Sequence, residues 1–166
     1  GGMGGFYMAL RVIREIELSG FSDVPETIFL GGGTPSIVDG QLLAGIVGAF
    51  RGGAIEITVE ANPGTLDGRK LELYRNTGVN RISLGVQSFC DEDLRNAGRL
   101  HSASDVVHDI GLIRDRGFTN LNVDLIAGLP NQRLDTWKEN LSRVERVRPE
   151  HISIYMLDVE ERSLWG

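Results

Sequence analysis

Apolar residues along the chain recur with two different periods. Stretches with an apolar residue every three or four positions are typical of amphipathic helices, and they alternate with short stretches of strict apolar–polar alternation, typical of strands. Because strands and helices take turns along the whole chain, the pattern predicts βαβ units and a parallel sheet with right-handed crossovers. Helices are predicted over 6–19, 39–50, 67–76, 103–115 and 133–147, with a further short helix that begins at the acidic residues 91–93, and strands are predicted over 27–30, 55–60, 81–86, 120–126 and 151–157.

Local signals fix several element ends. Ser102 with Asp105 forms a capping-box pattern that begins the helix over 103–115, and Gly117 is placed to end it. Gly78 similarly follows the helix over 67–76. Ser36, after three glycines and Thr34-Pro35, is predicted to cap the next helix.

The strands alternate in a way that is unusual for a parallel sheet, whose strands are normally apolar on both faces. One face is apolar throughout, and it is expected to lie under the helices. The other face is polar and must line a space filled with water or a ligand, so a curved partial barrel fits better than a doubly wound sheet. A buried carboxylate there, such as Asp124, needs partners. The polar face carries Glu56, Thr58, Glu60, Ser83, Gln87, Asn122, Asp124, His151, Ser153 and Tyr155.

Composition narrows the classes of partner. The chain has 17 Lys and Arg against 23 Asp and Glu, a net charge of −6, which disfavours nucleic acid as the main partner. No stretch is long and apolar enough for a membrane span, and no signal peptide is evident, so a cytoplasmic location is expected. Cys90 is the single cysteine. Residues 1–5 are predicted to be a linker or cloning remnant, and both ends, including 164–166, look cut from something longer.

Groups that can bind a small molecule gather where the predicted strands end, the usual place for sites in parallel α/β folds. Backbone donors, two carboxylates, an amide and a guanidinium suit a polar zwitterion that carries a sugar, such as a nucleoside-linked amino acid. No Ser/His/Asp set and no phosphate-binding Gly-Lys-Ser/Thr sequence is present. The groups are Gly31 to Thr34, Glu60 to Asn62, Gln87, Ser88, Arg99, Asp124 and Tyr155.

Five motifs occur in order, and together they resemble the radical S-adenosylmethionine (SAM) family of proteins related to oxygen-independent coproporphyrinogen III oxidase. The second and fourth are more similar to the haem-chaperone branch than to the oxidase branch. The resemblance covers about residues 26–160. The motifs are GGGTPS at 31–36, EANPGT at 60–65, NRISLGVQSF at 80–89, GRLHS at 98–102 and NVDLIAGLP at 122–130.

The resemblance implies a fold and a cofactor site. The fold is α/β, a partial (β/α) TIM-like barrel of the radical SAM type, with about five parallel strands present and the first strand missing, so that residues 6–166 form an incomplete radical SAM core domain. By motif position, Gly32, Gly33 and Thr34 would contact the methionine moiety of S-adenosyl-L-methionine. The amino-acid and ribose groups would be bound by Glu60, Gln87, Arg99 and Asp124, and a looser match adds Asp158.

The chain departs from the family at the iron–sulfur cluster. The family holds a [4Fe–4S] cluster on a Cys-x-x-x-Cys-x-x-Cys loop after its first strand, because the irons need thiolate ligands. A single cysteine at position 90 cannot replace that loop. We therefore expect no metal-ligating and no catalytic residue in this chain, no reductive cleavage of S-adenosylmethionine by it alone, and an unpaired edge on the strand over 27–30.

These considerations predict a fragment of a coproporphyrinogen-oxidase-like radical SAM protein of porphyrin and haem metabolism, which contributes the SAM-binding rim. The parent would generate a 5′-deoxyadenosyl radical or, in the chaperone branch, bind and hand on haem. The alternative is a non-enzymatic haem-binding protein, with His101 as the histidine to test, or a bare scaffold. A site for phosphorylated sugars fits the acidic rim poorly. Simpler roles also stay open: a loop-holding carboxylate for Asp124, a strand-end cap for Gln87 and a surface cation for Arg99.

Overall fold

The structure is a computed structural model that describes residues 2–20, 23–50 and 52–158, with side chains from residue 7 onward. The suspected cut end at 164–166 lies outside these residues. The strands are β1 (Thr27–Leu30), β2 (Glu56–Ala61), β3 (Arg81–Gln87), β4 (Asn120–Ala127) and β5 (His151–Met156). The helices are α1 (Gly2–Leu18), α2 (Gly40–Gly48), α3 (Gly68–Asn76), α4 (Asp91–Asn96), α5 (Ala103–Asp115) and α6 (Leu134–Val147).

The five strands form one parallel sheet in the order β1-β2-β3-β4-β5, as the strand–helix alternation predicts. Every strand therefore ends at the same rim. The register pairs Glu60 with Ser83 and Asp124 with Ser153, so the polar residues of neighbouring strands share one face. β1 and β5 are the edge strands of this sheet.

Element boundaries agree with the sequence prediction within a residue or two, except at α1. That helix begins at Gly2, four residues before the predicted start, so residues 2–5 have helical backbone. The capping box of Ser102 and Asp105 is confirmed, and Gly78 and Gly117 both have positive φ after their helices. None of the helices among the described residues has the length and apolar character needed to cross a membrane.

The predicted role of Ser36 as a helix cap is wrong. Ser36 lies inside a single 3-10 turn over Pro35–Ile37 and is fully buried, where its hydroxyl contacts Thr65 Oγ1 at 2.6 Å. Asp39 caps α2 instead, accepting the Gln41 N–H at 2.8 Å. Pro35 favours a tight turn, and the helix starts only when the chain has left the sheet edge.

The apolar face of β2, β3 and β4 lies under the helices, as predicted, and its residues form the core with Leu71, Tyr74 and Ile113. The expectation fails at β5. Ile152, Ile154 and Met156 point their apolar side chains away from the cleft face and are 49–77% exposed, because no described element packs on that side of β5.

The polar face of the sheet is hydrogen-bonded in layers from bottom to rim. At the bottom, Glu56 accepts from Thr58 at 3.2 Å and from Asn120 at 3.4 Å. In the middle, Asn122 is 2% exposed and donates to Ser83 Oγ at 2.9 Å. Asn120 Oδ1, at the bottom of this face, is buried without a hydrogen-bond partner. The other buried side-chain atoms described on this face are paired, so the rim is the place where polar groups can meet a ligand.

Candidate functional site

A cleft of about 400 Å³ opens at the carboxyl ends of the strands, a size suited to a small organic molecule. Six of the eight predicted site residues line it: Gly33, Thr34, Glu60, Gln87, Arg99 and Asp124. Gly32 does not line the cleft, but its N–H contacts the Glu60 carboxylate. Asp158 is exposed beyond the end of β5 and is not among the lining residues. The strand-end prediction therefore brings together residues that are up to 91 positions apart in the chain.

The glycine turn, residues 32–34, borders the cleft beside β2. The Thr34 N–H donates to Gly32 O at 2.6 Å across Gly33, whose φ is +54°. This left-handed conformation is comfortable for glycine because it has no Cβ. The Gly32 N–H donates to Glu60 Oε2 at 3.0 Å, so the carboxylate at the end of β2 fixes the turn.

The loop after β2 supports the same turn from below. Asn62 Nδ2 donates to Thr34 Oγ1 at 2.9 Å, and Asn62 itself lines the cleft. Asp109 of α5 is 2% exposed and accepts the Gly64 N–H at 2.7 Å. Burial raises the pKa of Asp109, and the Gly64 N–H opposes that rise only in part.

A second turn, the Gln87 turn (residues 86–88), projects from the end of β3. The Ser88 N–H donates to Val86 O at 2.8 Å across Gln87, whose φ is +66°. A bulge in the pairing of β3 with β4 occurs just before it. The position of Gly85 explains the close packing here, since a Cβ at this residue would lie 2.8 Å from Asn62 Oδ1 and 3.0 Å from Gln87 Nε2.

His101 is held against the Gln87 turn. Its Nε2 is hydrogen-bonded to Val86 O at 3.1 Å, and the ring is half-buried. Burial lowers the pKa of His101, with the nearby Arg99 charge acting in the same direction and the Val86 contact opposing it. This contact matches the simpler role for a loop histidine, that of a hydrogen-bonding group that positions the 98–102 segment.

Asp124 is paired within the sheet. Its carboxylate accepts from Ser83 Oγ at 3.0 Å and from Asn122 Nδ2 at 2.7 Å. The prediction that this carboxylate needs partners is confirmed, and those partners are strand residues rather than a neighbouring loop. Both donors lie on the sheet side, so the cleft side of the carboxylate is available to a ligand.

Arg99 reaches the rim from the loop after α4. Its N–H donates to Leu94 O at 2.9 Å, and the preceding Gly98 has a φ of +67°, which turns the chain back towards the cleft. Among the described residues, no carboxylate forms an ion pair with the Arg99 guanidinium. A cation at the rim of a cleft without a protein counter-ion is suited to an anionic group of a ligand.

Three further residues that the strand-end pattern names, Ala61, Asn62 and Tyr155, also line the cleft. Ser83, Gly85 and Ile126 line it as well, and they are not among the ligand groups predicted from the sequence. Ser83 could have been included, because it lies on the polar face of the sheet. Ile126 breaks the apolar–polar alternation of β4, and no signal in a single sequence marks it. Gly85 shows its importance only when the Asn62 and Gln87 side chains are in place.

The donor set fits S-adenosylmethionine but not an iron–sulfur cluster. Carboxylates, amides, backbone N–H groups and a guanidinium can hold amino-acid and ribose groups. For a cluster, the chain offers only Cys90, half-buried at the start of α4 and outside the cleft lining. No group of three or more potential metal ligands is found within the described ranges.

Comparison with known proteins shows the family to which this chain is related. Residues 5–144 match the family model of the Radical SAM superfamily. The heme chaperone HemW of Escherichia coli is 38% identical over 146 residues, which are 85% of this chain and 39% of the chaperone. Heme chaperone HemW of Bacillus subtilis is 35% identical over 161 residues, which are 93% of this chain and 42% of that protein. The chain thus spans about two fifths of the length of these curated relatives.

A solved structure supports the fold directly. Coproporphyrinogen III oxidase (HemN) from Escherichia coli, described as a radical SAM enzyme, superimposes with a TM-score of 0.80 at 25% sequence identity. The match covers 92% of this chain and 37% of that one. The predicted partial barrel of the radical SAM type is confirmed by this similarity.

Proposed function

The chain belongs to the Radical SAM superfamily, and from that membership we propose that its strand-end cleft is the SAM-binding rim of a longer protein. The observation that carries the proposal is the convergence of six motif residues, from two loops and the strands β2, β3 and β4, on one cleft. Two opposite kinds of charge meet there, the Glu60 and Asp124 carboxylates and the Arg99 guanidinium. A sulfonium amino acid presents the complementary groups, a carboxylate and positive centres.

Each residue has a role that its present contacts leave available. Gly33 and Thr34 would contact the methionine moiety with backbone groups of the glycine turn. Glu60 and Asp124 would accept hydrogen bonds from amino or hydroxyl groups, and the Gln87 amide would add a donor and an acceptor. Arg99 would pair with the carboxylate of the ligand. Gly32 acts through Glu60, and Asp158 would contribute only if the segment after β5 folded over the cleft.

Radical chemistry needs a second component. When bound in radical SAM proteins, a [4Fe–4S] cluster supplies the electron that cleaves S-adenosylmethionine. The described residues hold no set of thiolates for it, so we assign no reaction step to this chain. The residues that are present bind and orient the cofactor, and the chain alone is expected to be inactive.

The same proposal assigns the parent protein to porphyrin or haem metabolism. The relatives are named heme chaperones, and the structural neighbour is a coproporphyrinogen III oxidase. These names describe proteins more than twice as long as this chain. The rim is therefore the part of such a protein's function that this chain can contribute.

Calorimetric titration with S-adenosylmethionine tests the rim. We expect weak, saturable binding by the wild-type chain, and about tenfold weaker binding by Glu60→Gln and by Asp124→Asn, which lose a charge but keep an acceptor oxygen. Glu56→Gln is the matched control, because it makes the same charge change on the same face of β2 at the opposite end of the strand. Equal binding by all four proteins would refute the site.

Haem binding is the second candidate, favoured by the names of the relatives. His101 is the histidine nearest the rim, but its Nε2 is engaged by Val86 O. A titration with haem followed at the Soret band separates the two candidates. A saturable shift that is lost in His101→Ala supports a haem carrier, and a shift that persists in His101→Ala places haem elsewhere.

A further inference from the structure

Beneath the Gln87 turn lies a group of buried polar side chains that the proposed site does not use. We call it the Ser88 cluster, and it consists of Ser88, Asp93, Gln132 and Asn140. Ser88 is fully buried, and Asp93 and Asn140 are at most 2% exposed. Burial of this many polar groups is costly unless they are hydrogen-bonded to one another.

The hydrogen bonds of the Ser88 cluster form one consistent set. The Ser88 hydroxyl donates its single proton to Asp93 Oδ2 at 2.8 Å, and its oxygen accepts from Asn140 Nδ2 at 3.0 Å. Gln132 Nε2 also donates to Asp93 Oδ2, at 3.0 Å. Every polar group of the cluster that is buried therefore has a partner of the right kind.

The cluster binds the backbone that leaves the Gln87 turn. The Phe89 N–H donates to Asn140 Oδ1 at 2.6 Å, and the Cys90 N–H donates to Ser88 Oγ at 3.1 Å. Asn140, a residue of α6, lies 51 residues after Phe89 in the sequence. The exit of the turn is thus attached to a rigid helix rather than to its own loop.

Gln87 needs such support because its backbone is left-handed. A φ of +66° is unfavourable for any residue with a Cβ, and here the residue is only 9% exposed. On the entry side of the turn, His101 is bonded to Val86 O. The turn is therefore clamped on both sides, and its conformation aims the Gln87 amide at the cleft beside Gly85 and Asn62.

We propose that Asn140 and Asp93 are positioning residues that hold Gln87 in its left-handed turn, so that the Gln87 amide faces the ligand cleft. The ligand side of this statement rests on the function proposed above. The conformational side concerns the free chain. Neither residue lines the cleft. Asn140 acts through the Phe89 N–H and the Ser88 hydroxyl, and Asp93 acts through the Ser88 hydroxyl, which accepts the Cys90 N–H.

Nuclear magnetic resonance of the free chain tests the conformational side. A residue with positive φ has a short HN–Hα distance and hence a strong intraresidue NOE. In Asn140→Ala we expect the Gln87 NOE to fall by about threefold as φ returns to negative values. Val144→Ala is the matched control, since it opens a cavity one turn further along α6 and removes no hydrogen bond to the turn, and it should leave the NOE unchanged.

A conservative variant keeps the test decisive if Asn140→Ala does not fold. Asn140→Asp retains the acceptor for the Phe89 N–H but loses the donor to Ser88, so its Gln87 NOE should lie between wild type and Asn140→Ala. A folded Asn140 variant with the full wild-type NOE would overturn the proposal. An equal loss in Val144→Ala would overturn it as well, because the loss would then reflect general loosening of α6.

Titration with S-adenosylhomocysteine, a stable analogue, separates this proposal from the function it rests on. We expect Asn140→Ala to bind about tenfold more weakly than wild type, while Val144→Ala binds like wild type. If the wild-type chain does not bind the analogue, the proposed function fails, and the NOE still decides whether Asn140 positions Gln87. If binding is normal in a variant whose NOE has fallen, Gln87 orientation does not matter to the ligand and the ligand side fails.

Discussion

The glycine turn and the Gln87 turn border the same cleft with similar backbones and very different supports. Each is closed by a hydrogen bond between residues two apart and has a left-handed residue at its centre, with φ of +54° at Gly33 and +66° at Gln87. The glycine turn rests on Glu60 and Asn62, at a rim open to water. The Gln87 turn rests on the Ser88 cluster, of whose four residues three are at most 2% exposed.

The difference shows how side-chain chemistry decides the cost of a turn. A glycine adopts the left-handed conformation freely, and such a turn contributes backbone groups to a ligand. A glutamine in the same conformation contributes an amide as well, but the conformation must be imposed by contacts elsewhere. The buried polar residues of α4 and α6 supply those contacts.

Removal of the central hydroxyl of the Ser88 cluster should give the largest effect. Ser88→Ala leaves the buried Asn140 Nδ2 and the partly buried Cys90 N–H without acceptors, and Asp93 loses a donor. We expect the free energy of unfolding to fall by about 3 kcal/mol. Urea denaturation measures it.

The matched change at the glycine turn is Thr34→Ala, which removes the acceptor of Asn62 Nδ2 at a site that water can reach. A loss of only about 1 kcal/mol is expected there. Equal losses for Ser88→Ala and Thr34→Ala would mean that the buried support of the Gln87 turn contributes no more stability than the water-accessible support of the glycine turn.

Backbone strain can be isolated by changing only the Cβ at each turn. Gln87→Gly and Gln87→Ala both lose the amide, and they differ in the Cβ at a φ of +66°. Gln87→Gly should be more stable than Gln87→Ala by about 1 kcal/mol, while Gly33→Ala should be less stable than wild type by a similar amount.

The same denaturation experiment tests these values. A Cβ added to Gly33 would meet no atom within 4 Å, so its cost there reflects φ alone. If Gln87→Ala is as stable as Gln87→Gly, then Gln87 is not strained and the contrast between the two turns disappears.

The smallest effect is a pH dependence at the support of the glycine turn. Burial raises the pKa of Asp109, so between the ordinary value of 3.8 and the raised one the folded state keeps a proton that the unfolded state has lost. Stability contributed by this proton is present at low pH and is lost as the pH rises through the folded pKa.

Asp109→Asn removes this proton while an amide oxygen can still accept the Gly64 N–H. We therefore expect the stability of wild type minus that of Asp109→Asn to fall as the pH rises across that window and to be flat above it. Thermal unfolding of both proteins in a series of buffers measures the difference. A difference that rises with pH would mean that Asp109 is stabilised as the anion.

Much of the fold could be read from the sequence because the apolar–polar pattern and the end signals agree. β1 was predicted at its observed bounds, and the capping box of Ser102 was found because both of its residues are local. Ser36 was misassigned because its partner, Thr65, lies 29 residues away. The exposed face of β5 could not be foreseen, since alternation says which residues share a face but not whether anything packs on it.

In the candidate site, too, residues with a strand-end or motif signal were predictable, and contacts between distant parts of the chain were not. Gly33, Glu60 and Asp124 were predictable because strand ends meet at one rim, and motif resemblance selected them. Whether they bind a cofactor stays a prediction, as does the role of Asp158. The support of Gln87 by Asn140 was invisible, because no periodicity or spacing connects a buried amide of α6 with a turn 53 residues earlier.

The most direct test of the central claim is a map of backbone amide shifts during titration with S-adenosylmethionine. We predict that the amides of Gly33, Thr34, Gln87 and Arg99 shift together with one common dissociation constant. The exposed groove between the N-termini of α2 and α3, lined by Asp39 and Lys70, should stay unchanged. Shifts confined to that groove, or different dissociation constants at the two turns, would contradict a single cofactor cleft.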